Sequence, residues 1–270
     1  MQLKFYKYQG TGNDFVIVDD RALTFPVSDT ALVKKLCDRR FGIGADGLML
    51  LQPNHQSSYF MKYYNSDGNE STMCGNGGRC LAAFALHQQA VKGNHAFMAM
   101  DGLHEVEVEG ALTDSIWIKL KMQDVQTVDS RPAETFVLNT GSPHYVKFTN
   151  EPISKLNLVN EAKSIRYNEE FSAQGINVNF INLLGLHKIA IRTYERGVED
   201  ETLSCGTGVT AAALSTAILN KLPNGTHTIE VISEGGDLKV TFTYHASNQT
   251  FSQVWLQGHA TFVYSGVVEI

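Results

Sequence analysis

Cysteine is scarce in this sequence, with only four in 270 residues. The cysteines stand at positions 37, 74, 80 and 205, and no two of them form a Cys-x-x-Cys pair. This spacing argues against a thioredoxin-type redox site and a standard zinc ribbon. The histidines show no metal-ligand spacing either, so we expect no metal and no structural disulfide.

A strong charge of one sign and long apolar runs are also lacking. The net charge is −6 and no basic run stands out, which argues against nucleic-acid or anionic-membrane partners. No stretch approaches the ~18 apolar residues of a membrane span, and the first residues contain no apolar signal core. We therefore expect a cytoplasmic enzyme, and the length suggests about two domains.

Cys74 and Cys205 lie in two copies of one local pattern, Cys-Gly-x-Gly. In both copies a strand-like run and a turn precede the cysteine, and an Ala-rich apolar run follows it, so we predict each thiol at the start of a buried helix. Unpaired N–H groups and the positive end of the helix dipole stabilise a thiolate there and also bind carboxylates. Two such thiols suggest a thiol and thiolate pair acting on one anionic substrate.

Three blocks of the sequence recur at a nearly constant offset, which indicates two homologous halves. The offsets are 129, 133 and 131 residues, measured from Thr11 to Thr140, from Gly42 to Gly175 and from Cys74 to Cys205. Each half contains short runs that alternate apolar and polar residues, as half-buried antiparallel strands do. Each half also has a surface-type helix, predicted over 30–40 and roughly 152–163, besides the helix after its cysteine.

This pattern predicts an α+β fold of two pseudo-symmetric domains, each a mostly antiparallel sheet wrapped around a central helix. We place the N-terminal half at 1–117, completed by a C-terminal strand over 262–270, and the C-terminal half at 118–261. A ligand site is expected in the cleft between the domains.

The other two cysteines and one glycine-rich segment carry no predicted chemistry. Cys37 falls on the apolar side of helix 30–40, and Cys80 is expected in the core as well, although it could approach Cys74. The segment 42–47 matches the dinucleotide fingerprint G-x-G-x-x-G, but it follows a helix and enters a strand. That order is the reverse of the one that dinucleotide binding requires, so we reject this interpretation.

The sequence resembles the diaminopimelate epimerase family, a group of cofactor-independent amino-acid epimerases, over essentially its whole length. The matching segments are Gly12-Asn-Asp-Phe15, Arg39-Arg-Phe-Gly-Ile-Gly-Ala-Asp46, Tyr64-Asn-Ser-Asp-Gly68, Cys74-Gly-Asn-Gly-Gly-Arg79, Ser142-Pro-His144, Tyr194-Glu-Arg-Gly197 and Cys205-Gly-Thr-Gly208. Two positions depart from the family pattern: family members often have Asn where Ser142 stands, and many have Gln where Gly47 stands. Both departures concern recognition of the distal end of the substrate.

The resemblance implies an isomerase that interconverts LL- and meso-2,6-diaminopimelate in lysine and peptidoglycan precursor synthesis. It implies that the enzyme needs no cofactor and that it forms a homodimer. A proton must leave one face of the α-carbon and another must return on the opposite face, which two fixed thiols accomplish. The resemblance assigns those roles to Cys74 and Cys205, one serving each stereoisomer.

The resemblance also suggests supporting and binding roles. His144 and Glu195 would orient and stabilise the reacting centre, with Glu195 paired to the substrate α-ammonium, and Arg196 would bind the distal carboxylate. The remaining predicted substrate-binding residues are Asn13 at the reacting end, Asn65, Asn177 and Ser142 at the distal end, and Gly75, Asn76, Gly206 and Thr207 at the two helix starts.

Three alternatives remain open from the sequence. A proline or hydroxyproline epimerase shares the architecture, but such enzymes typically carry His where Asn76 stands, and Arg196 suits a second carboxylate. A thiol redox sensor would pair Cys74 with Cys205 in a disulfide, yet it would not need Glu195 or Arg196. A non-catalytic amino-acid binder would keep its affinity in a Cys74→Ser variant.

Overall fold

The structure, a computed structural model, describes residues 2–270 and has a sheet-rich α+β fold. The chain divides into two compact units, one running to Leu120 and including Gly258–Ile270, the other formed by Lys121–Gln257. No helix within residues 2–270 is both long enough and apolar enough to cross a membrane.

Seventeen strands and four α-helices make up the described chain. The strands are β1 Gln2–Gly10, β2 Asn13–Asp19, β3 Gly47–Gln52, β4 Phe60–Asn65, β5 Glu70–Ser71, β6 His95–Ala99, β7 Gly102–Glu109, β8 Ser115–Lys121, β9 Val128–Arg131, β10 Thr135–Asn139, β11 Pro143–Phe148, β12 Asn177–Gly185, β13 Lys188–Glu195, β14 Asp200–Thr202, β15 Gly225–Ser233, β16 Gly236–His245 and β17 Thr250–Glu269. The helices are α1 Thr30–Cys37, α2 Gly75–His87, α3 Leu158–Arg166 and α4 Gly206–Leu219.

In the first unit the strands form a closed ring. Antiparallel pairs join β17 to β1, β1 to β2, β3 to β4, β6 to β7, β7 to β8 and β8 to β17. Two parallel pairs, β2 with β3 and β4 with β6, complete the ring. The helix α2 is buried from Asn76 to Leu86, so the sheet wraps around a central helix as predicted.

The second unit repeats the same order of parallel and antiparallel pairs. Its parallel pairs are β11 with β12 and β13 with β15, and its other registered pairs are antiparallel. In both units a short helix lies between the strands of the first parallel pair, and the cysteine helix lies between the strands of the second. The helix α4 is apolar on all sides, which fits its burial from Gly208 to Ala217. The shared order confirms two pseudo-symmetric halves.

The first surface helix is shorter than predicted, because it ends at Cys37 and not at residue 40. The Asp38 carboxylate accepts hydrogen bonds from the backbone N–H groups of Arg40 and Phe41, both at 2.7 Å. The chain then folds back, and the N–H groups of Ile43 and Gly44 bond to Leu36 O. These contacts satisfy the helix end and turn the chain away.

The second surface helix starts later than predicted. Residues Ile153–Lys155 form a separate 3₁₀ turn, and α3 begins only at Leu158. The Arg192 guanidinium donates to the carbonyl oxygens of Ile153 and Leu156, and these bonds hold the segment against β13. Asn157 occupies the N-cap position of α3 and Glu161 lies in its first turn, so a local signal does mark this start.

Candidate active site

Cys74 occupies the N-cap position of α2, with φ −98° and ψ 130°. Its side chain makes no capping hydrogen bond, and its carbonyl accepts the first helical bond from Gly78 N at 2.7 Å. The N–H groups of the first turn have no acceptor within the helix, and they point in the direction from which an anion would approach. The half-buried thiol therefore lies beside a positive helix end.

The amide of Asn13 is held in one orientation next to this thiol. Its Nδ2 donates to Asp46 Oδ2 at 2.5 Å, and its Oδ1 accepts from Cys74 Sγ at 3.7 Å. Asp46 is itself paired with Arg39, whose Nη2 lies 2.7 Å from Asp46 Oδ1. Charged groups on the loop before β3 thus position a predicted substrate-binding residue.

The side chain of Asn76 turns into the first unit. Its Oδ1 accepts from Arg79 Nη2 at 2.9 Å and from Thr11 Oγ1 at 3.2 Å, and the residue is 2% exposed. Its backbone N–H belongs to the first turn of α2, as does that of Gly75. The backbone is therefore the part of these two residues that suits an anionic ligand.

The departure at Gly47 has a steric basis. A Cβ at this position would lie 2.6 Å from Tyr63 Cε2 and 2.6 Å from Tyr64 O, so the Tyr63 ring already fills the space of a side chain. Gly47 is paired with Asn65, the exposed last residue of β4. The turn after Asn65 is closed by the backbone bond from Gly68 N to Asn65 O at 3.0 Å.

Cys205 occupies the N-cap position of α4, with φ −116° and ψ 113°, and it is 9% exposed. Its side chain makes no capping bond either, and its Sγ lies 3.4 Å from Thr207 Oγ1. Gly206 and Thr207 contribute N–H groups to the first turn of this helix. The local geometry of the two cysteines is therefore the same.

His144 connects the Cys205 helix to the sheet through neutral groups. Its Nε2 lies 2.9 Å from Thr207 Oγ1 and 3.0 Å from Ser142 Oγ, while its Nδ1 lies 3.1 Å from Asn179 Nδ2. Because the Asn179 amide can only donate there, Nδ1 accepts and the neutral ring carries its proton on Nε2. The network is therefore polar but uncharged.

The charge state of His144 follows from its surroundings. Burial, and secondarily the positive charge of Arg196, lower the pKa of His144 to about 3. The imidazole therefore stays neutral at physiological pH and cannot act as a cationic electrophile there. Its Nε2–H can donate to Thr207, which leaves the Thr207 hydroxyl hydrogen available to Cys205.

Asn177 ties two loops of the second unit together. Its Nδ2 donates to Ser142 Oγ at 3.2 Å and to Pro143 O at 3.0 Å. Its Oδ1 accepts the backbone N–H of Arg196 at 2.8 Å. The predicted residues Ser142, His144, Asn177 and Thr207 are thus connected by hydrogen bonds around Cys205.

Glu195 and Arg196 begin the turn before Cys205 and have different surroundings. Burial raises the pKa of Glu195, and the hydrogen bond from Thr202 Oγ1 at 3.1 Å opposes that shift. A mostly buried carboxyl group with one donor suits a cationic partner. Arg196 is exposed, and its Nη1 donates to Gln174 O at 3.0 Å.

Some glycines of the cysteine motifs serve packing within their own unit. A Cβ at Gly208 would lie 2.5 Å from Asn179 Oδ1 and 3.3 Å from His144 Cε1, so this glycine lets α4 approach β11 and β12. A Cβ at Gly77 would lie 3.2 Å from Met49 Sδ. These two glycines therefore allow close contact between each helix and its own sheet.

Sequence reasoning missed three residues of these networks, namely Asp46, Arg79 and Asn179. Asn179 follows Asn177 on the same face of β12, and a buried Asn-x-Asn run is a signal that could have revealed it. Asp46 and Arg79 stand inside the family motifs, but nothing local distinguishes their roles. Across residues 2–270 no group of three or more His, Cys, Asp or Glu side chains could hold a metal.

Comparisons with known proteins identify the family of this chain. The family model described as diaminopimelate epimerase matches residues 5–128 and 136–263. A diaminopimelate epimerase of Flavobacterium psychrophilum is 47% identical over 266 residues, covering 98% of this chain and 100% of the relative. One of Chlorobaculum tepidum is 37% identical, covering 97% of this chain and 99% of the relative.

A solved structure has the same fold at low identity. The Bacillus anthracis phenazine biosynthesis protein of the PhzF family superposes with a TM-score of 0.76 at 13% identity, covering 100% of both chains. At that identity the likeness concerns the fold alone. The family model and the relatives together establish that this chain belongs to the diaminopimelate epimerase family.

Proposed function

We propose that this chain is an isomerase that interconverts LL- and meso-2,6-diaminopimelate without a cofactor or metal, in lysine and peptidoglycan precursor synthesis. The observation that carries the proposal is the pair of cysteines, each at the N-cap of a buried helix in one of two homologous halves. Membership of the diaminopimelate epimerase family supports the choice of substrate.

In the proposed reaction Cys74 and Cys205 act on opposite faces of the substrate α-carbon. One sulfur, as thiolate, removes the α-proton, and the other, as thiol, returns a proton to the opposite face, which inverts the centre. In the reverse direction the two sulfurs exchange roles. The protons balance, because each turnover moves one proton onto one sulfur and one proton off the other.

The α-carboxylate would bind the N–H groups at the two helix starts, at Gly75 and Asn76 and at Gly206 and Thr207. Negative charge grows on the substrate as the α-proton leaves, and fixed N–H dipoles stabilise it without reorganisation. This arrangement would supply the stabilisation for which other amino-acid racemases use an electron-withdrawing cofactor.

The remaining polar groups would select the substrate. Glu195 would pair with the α-ammonium group, which gives its carboxyl a cationic partner. The neutral His144 would orient Thr207 and Ser142, and Asn13 would contact the reacting end. At the distal end we assign the carboxylate to Arg196 and the remaining polar contacts to Asn65, Asn177 and Ser142.

We further propose that the protein forms a homodimer in the cytoplasm, where thiols stay reduced. Val263, Tyr264 and Val267 on β17 are 52%, 44% and 60% exposed, and several exposed apolar side chains on one strand suit a protein interface. Sedimentation velocity would measure the mass, and a monomer at micromolar concentration would contradict this part of the proposal.

The test is solvent-deuterium incorporation at the α-carbon of LL-diaminopimelate by the reduced protein. We expect deuterium in the substrate together with the appearance of the meso form, and no exchange with proline or hydroxyproline. Exchange with proline in preference to diaminopimelate would favour the proline-epimerase alternative. A folded, reduced protein that exchanges none of these substrates would refute the reaction class.

A further inference from the structure

Arg79 is a buried cation for which the proposed reaction has no role so far. It lies in α2, five residues after Cys74, and is 0% exposed. Its Nη1 donates to Gly75 O at 3.3 Å, and its Nη2 donates to Thr11 Oγ1 at 3.2 Å and Asn76 Oδ1 at 2.9 Å. The guanidinium thus reaches back to the residues that follow Cys74 at the start of the helix.

This cation has no carboxylate partner within salt-bridge distance among residues 2–270, and its buried Nε makes no hydrogen bond. A buried unpaired charge is costly, and truly unpaired ones are rare in native proteins. Arginine stays protonated under nearly all conditions, so the protein cannot relieve the cost by losing the proton. Arg79 is therefore placed to stabilise negative charge on a neighbouring group.

The neighbouring titratable groups leave few candidates for that anion. Burial raises the pKa of Cys80 on the same helix, and burial raises the pKa of Tyr8 on β1, so both stay neutral. Asp14 on β2 is already paired with Lys7 and Arg39.

Asp101, in the turn after β6, accepts from the backbone N–H of Met73 at 3.3 Å and is paired with His104. Cys74 itself is the remaining ionisable group. Burial lowers the pKa of Arg79, whereas its electrostatic interactions with Cys80 and Cys74 raise it. That interaction is reciprocal, so a charged Arg79 favours the thiolate form of Cys74.

We propose that Arg79 is a positioning residue that stabilises the Cys74 thiolate, by placing a fixed positive charge behind the start of α2. This inference rests on the proposed function, because it explains how one of the two sulfurs becomes a base. The charge adds to the positive end of the helix dipole, which is only about half an elementary charge.

The second half of the molecule lacks this device. The position five residues after Cys205 is Thr210, whose Oγ1 donates to Gly206 O at 2.9 Å. The side chain is buried and neutral, and it closes its hydrogen bond within the helix. The buried charge is thus a difference between two otherwise matching helix starts.

One contact of Cys74 acts in the opposite direction. The Asn13 Oδ1 acceptor favours a protonated thiol, since a thiolate has no hydrogen to donate. That contact is long, at 3.7 Å, and it involves a neutral group. A buried full charge shifts a neighbouring pKa by roughly one to three units, so we expect the guanidinium to dominate.

The experiment is site-specific alkylation by iodoacetamide across a range of pH, read for each cysteine by peptide mass spectrometry. In the wild-type protein we expect the midpoint for Cys74 to lie below the ordinary cysteine pKa of about 8.5. Arg79→Met should raise that midpoint by about one unit or more, which slows alkylation of Cys74 at pH 7 about tenfold. Arg79→Lys, which keeps the charge, should largely restore the wild-type profile.

Thr210→Val is the matched control, and it should leave the pH profile of Cys74 alkylation unchanged. Arg79→Met should likewise leave the pH profile of Cys205 alkylation unchanged. Circular dichroism identifies folded variants. The proposal is overturned if the alkylation midpoint of Cys74 in the wild-type protein lies at or above the ordinary cysteine pKa. It is also overturned if Cys74 in folded Arg79→Met has the same pH profile as in the wild-type protein. Alkylation requires no turnover, so the two proposals can fail separately. If Arg79→Met raises the Cys74 midpoint but the wild-type protein shows no deuterium exchange, the proposed function is refuted and the role of Arg79 is retained.

Discussion

The two halves have the same strand order but surround their cysteines with different chemistry. Near Cys74 the groups are charged: Asp46 and Arg39 fix Asn13, and Arg79 lies behind the helix start. Near Cys205 the network that includes His144 and Thr207 is neutral. The repeated backbone therefore places both thiols at the N-terminus of a helix. The side chains around each thiol, which differ between the halves, set its pKa separately.

This difference suits a reaction in which two sulfurs must hold opposite protonation states at the start of each turnover. Two identical sites would give two thiols of equal acidity, and only half of the combined states would be productive. A buried positive charge behind one helix start and a neutral hydrogen-bond network at the other favour a single productive state. The asymmetry of the halves is thus as informative as their similarity.

The largest expected effect comes from removing either sulfur. Cys74→Ser and Cys205→Ser should each lower kcat/KM for diaminopimelate epimerisation by about 10³-fold or more, since a serine hydroxyl is a far weaker acid. Cys37→Ala, which alters a buried thiol outside the site, should keep most of the activity. An active Cys205→Ser variant would mean that only one half carries the chemistry.

A smaller effect concerns the turn before each cysteine. Glu199 accepts from Tyr167 and Tyr194 hydroxyls at 2.8 and 3.0 Å and from Arg166 Nη2 at 3.1 Å. In the matching turn of the first half, exposed Asp67 bonds only to Asn69. Glu199→Gln should cost about 1–2 kcal/mol of unfolding free energy at pH 7, and Asp67→Asn should cost far less.

The pH dependence of that cost follows from the pKa of Glu199. Burial alone would raise this pKa, but the hydrogen bonds and the charge of Arg166 lower it from the ordinary 4.5 to about 2. Since the folded-state pKa is depressed, the stabilisation is complete above pH 4.5 and is lost as pH falls toward 2. Denaturant unfolding at pH 7 and pH 3 measures it, and a constant difference between variant and wild type would contradict this account.

The smallest expected effect tests the neutral network. Thr207→Val removes the hydroxyl between His144 and Cys205, which should lower kcat/KM about tenfold and slow alkylation of Cys205 at neutral pH. Thr207→Ser should preserve both values, and the Cys74 profile should not change. An equal response of both cysteines to Thr207→Val would mean that the two environments are not separate.

The elements of each half were predictable because their signals are local. Continuous apolar runs indicated β2 and β3, alternating residues indicated β8 and β16, and the Cys-Gly-x-Gly segments indicated the starts of α2 and α4. The strands β1, β5, β6, β9, β10, β14 and β15 were not among the predicted runs. The surface helices were predicted too long, because Asp38 caps the end of α1 and the segment before α3 forms a separate turn that Arg192 contacts across 39 residues.

The site was less predictable than the fold. Family motifs named Cys74, Cys205, His144 and Glu195, and those assignments stay predictions until the variants are measured. The tautomer of His144 depends on the orientation of Asn179, and the need for glycine at 208 depends on the same side chain. Neither contact leaves a signal in the sequence, because it joins separate elements.

The sequence by itself determined that this chain is a duplicated α+β protein with a thiol at the start of each central helix, because helix starts, strand alternation and repeats are encoded by neighbouring residues. Only the tertiary structure decided which groups surround each thiol. Arg79 is buried with no carboxylate beside it, so its positive charge acts on the neighbouring groups. Burial also keeps His144 neutral. Desolvation and hydrogen-bond partners are properties of the packed chain, and they exist only once distant segments meet.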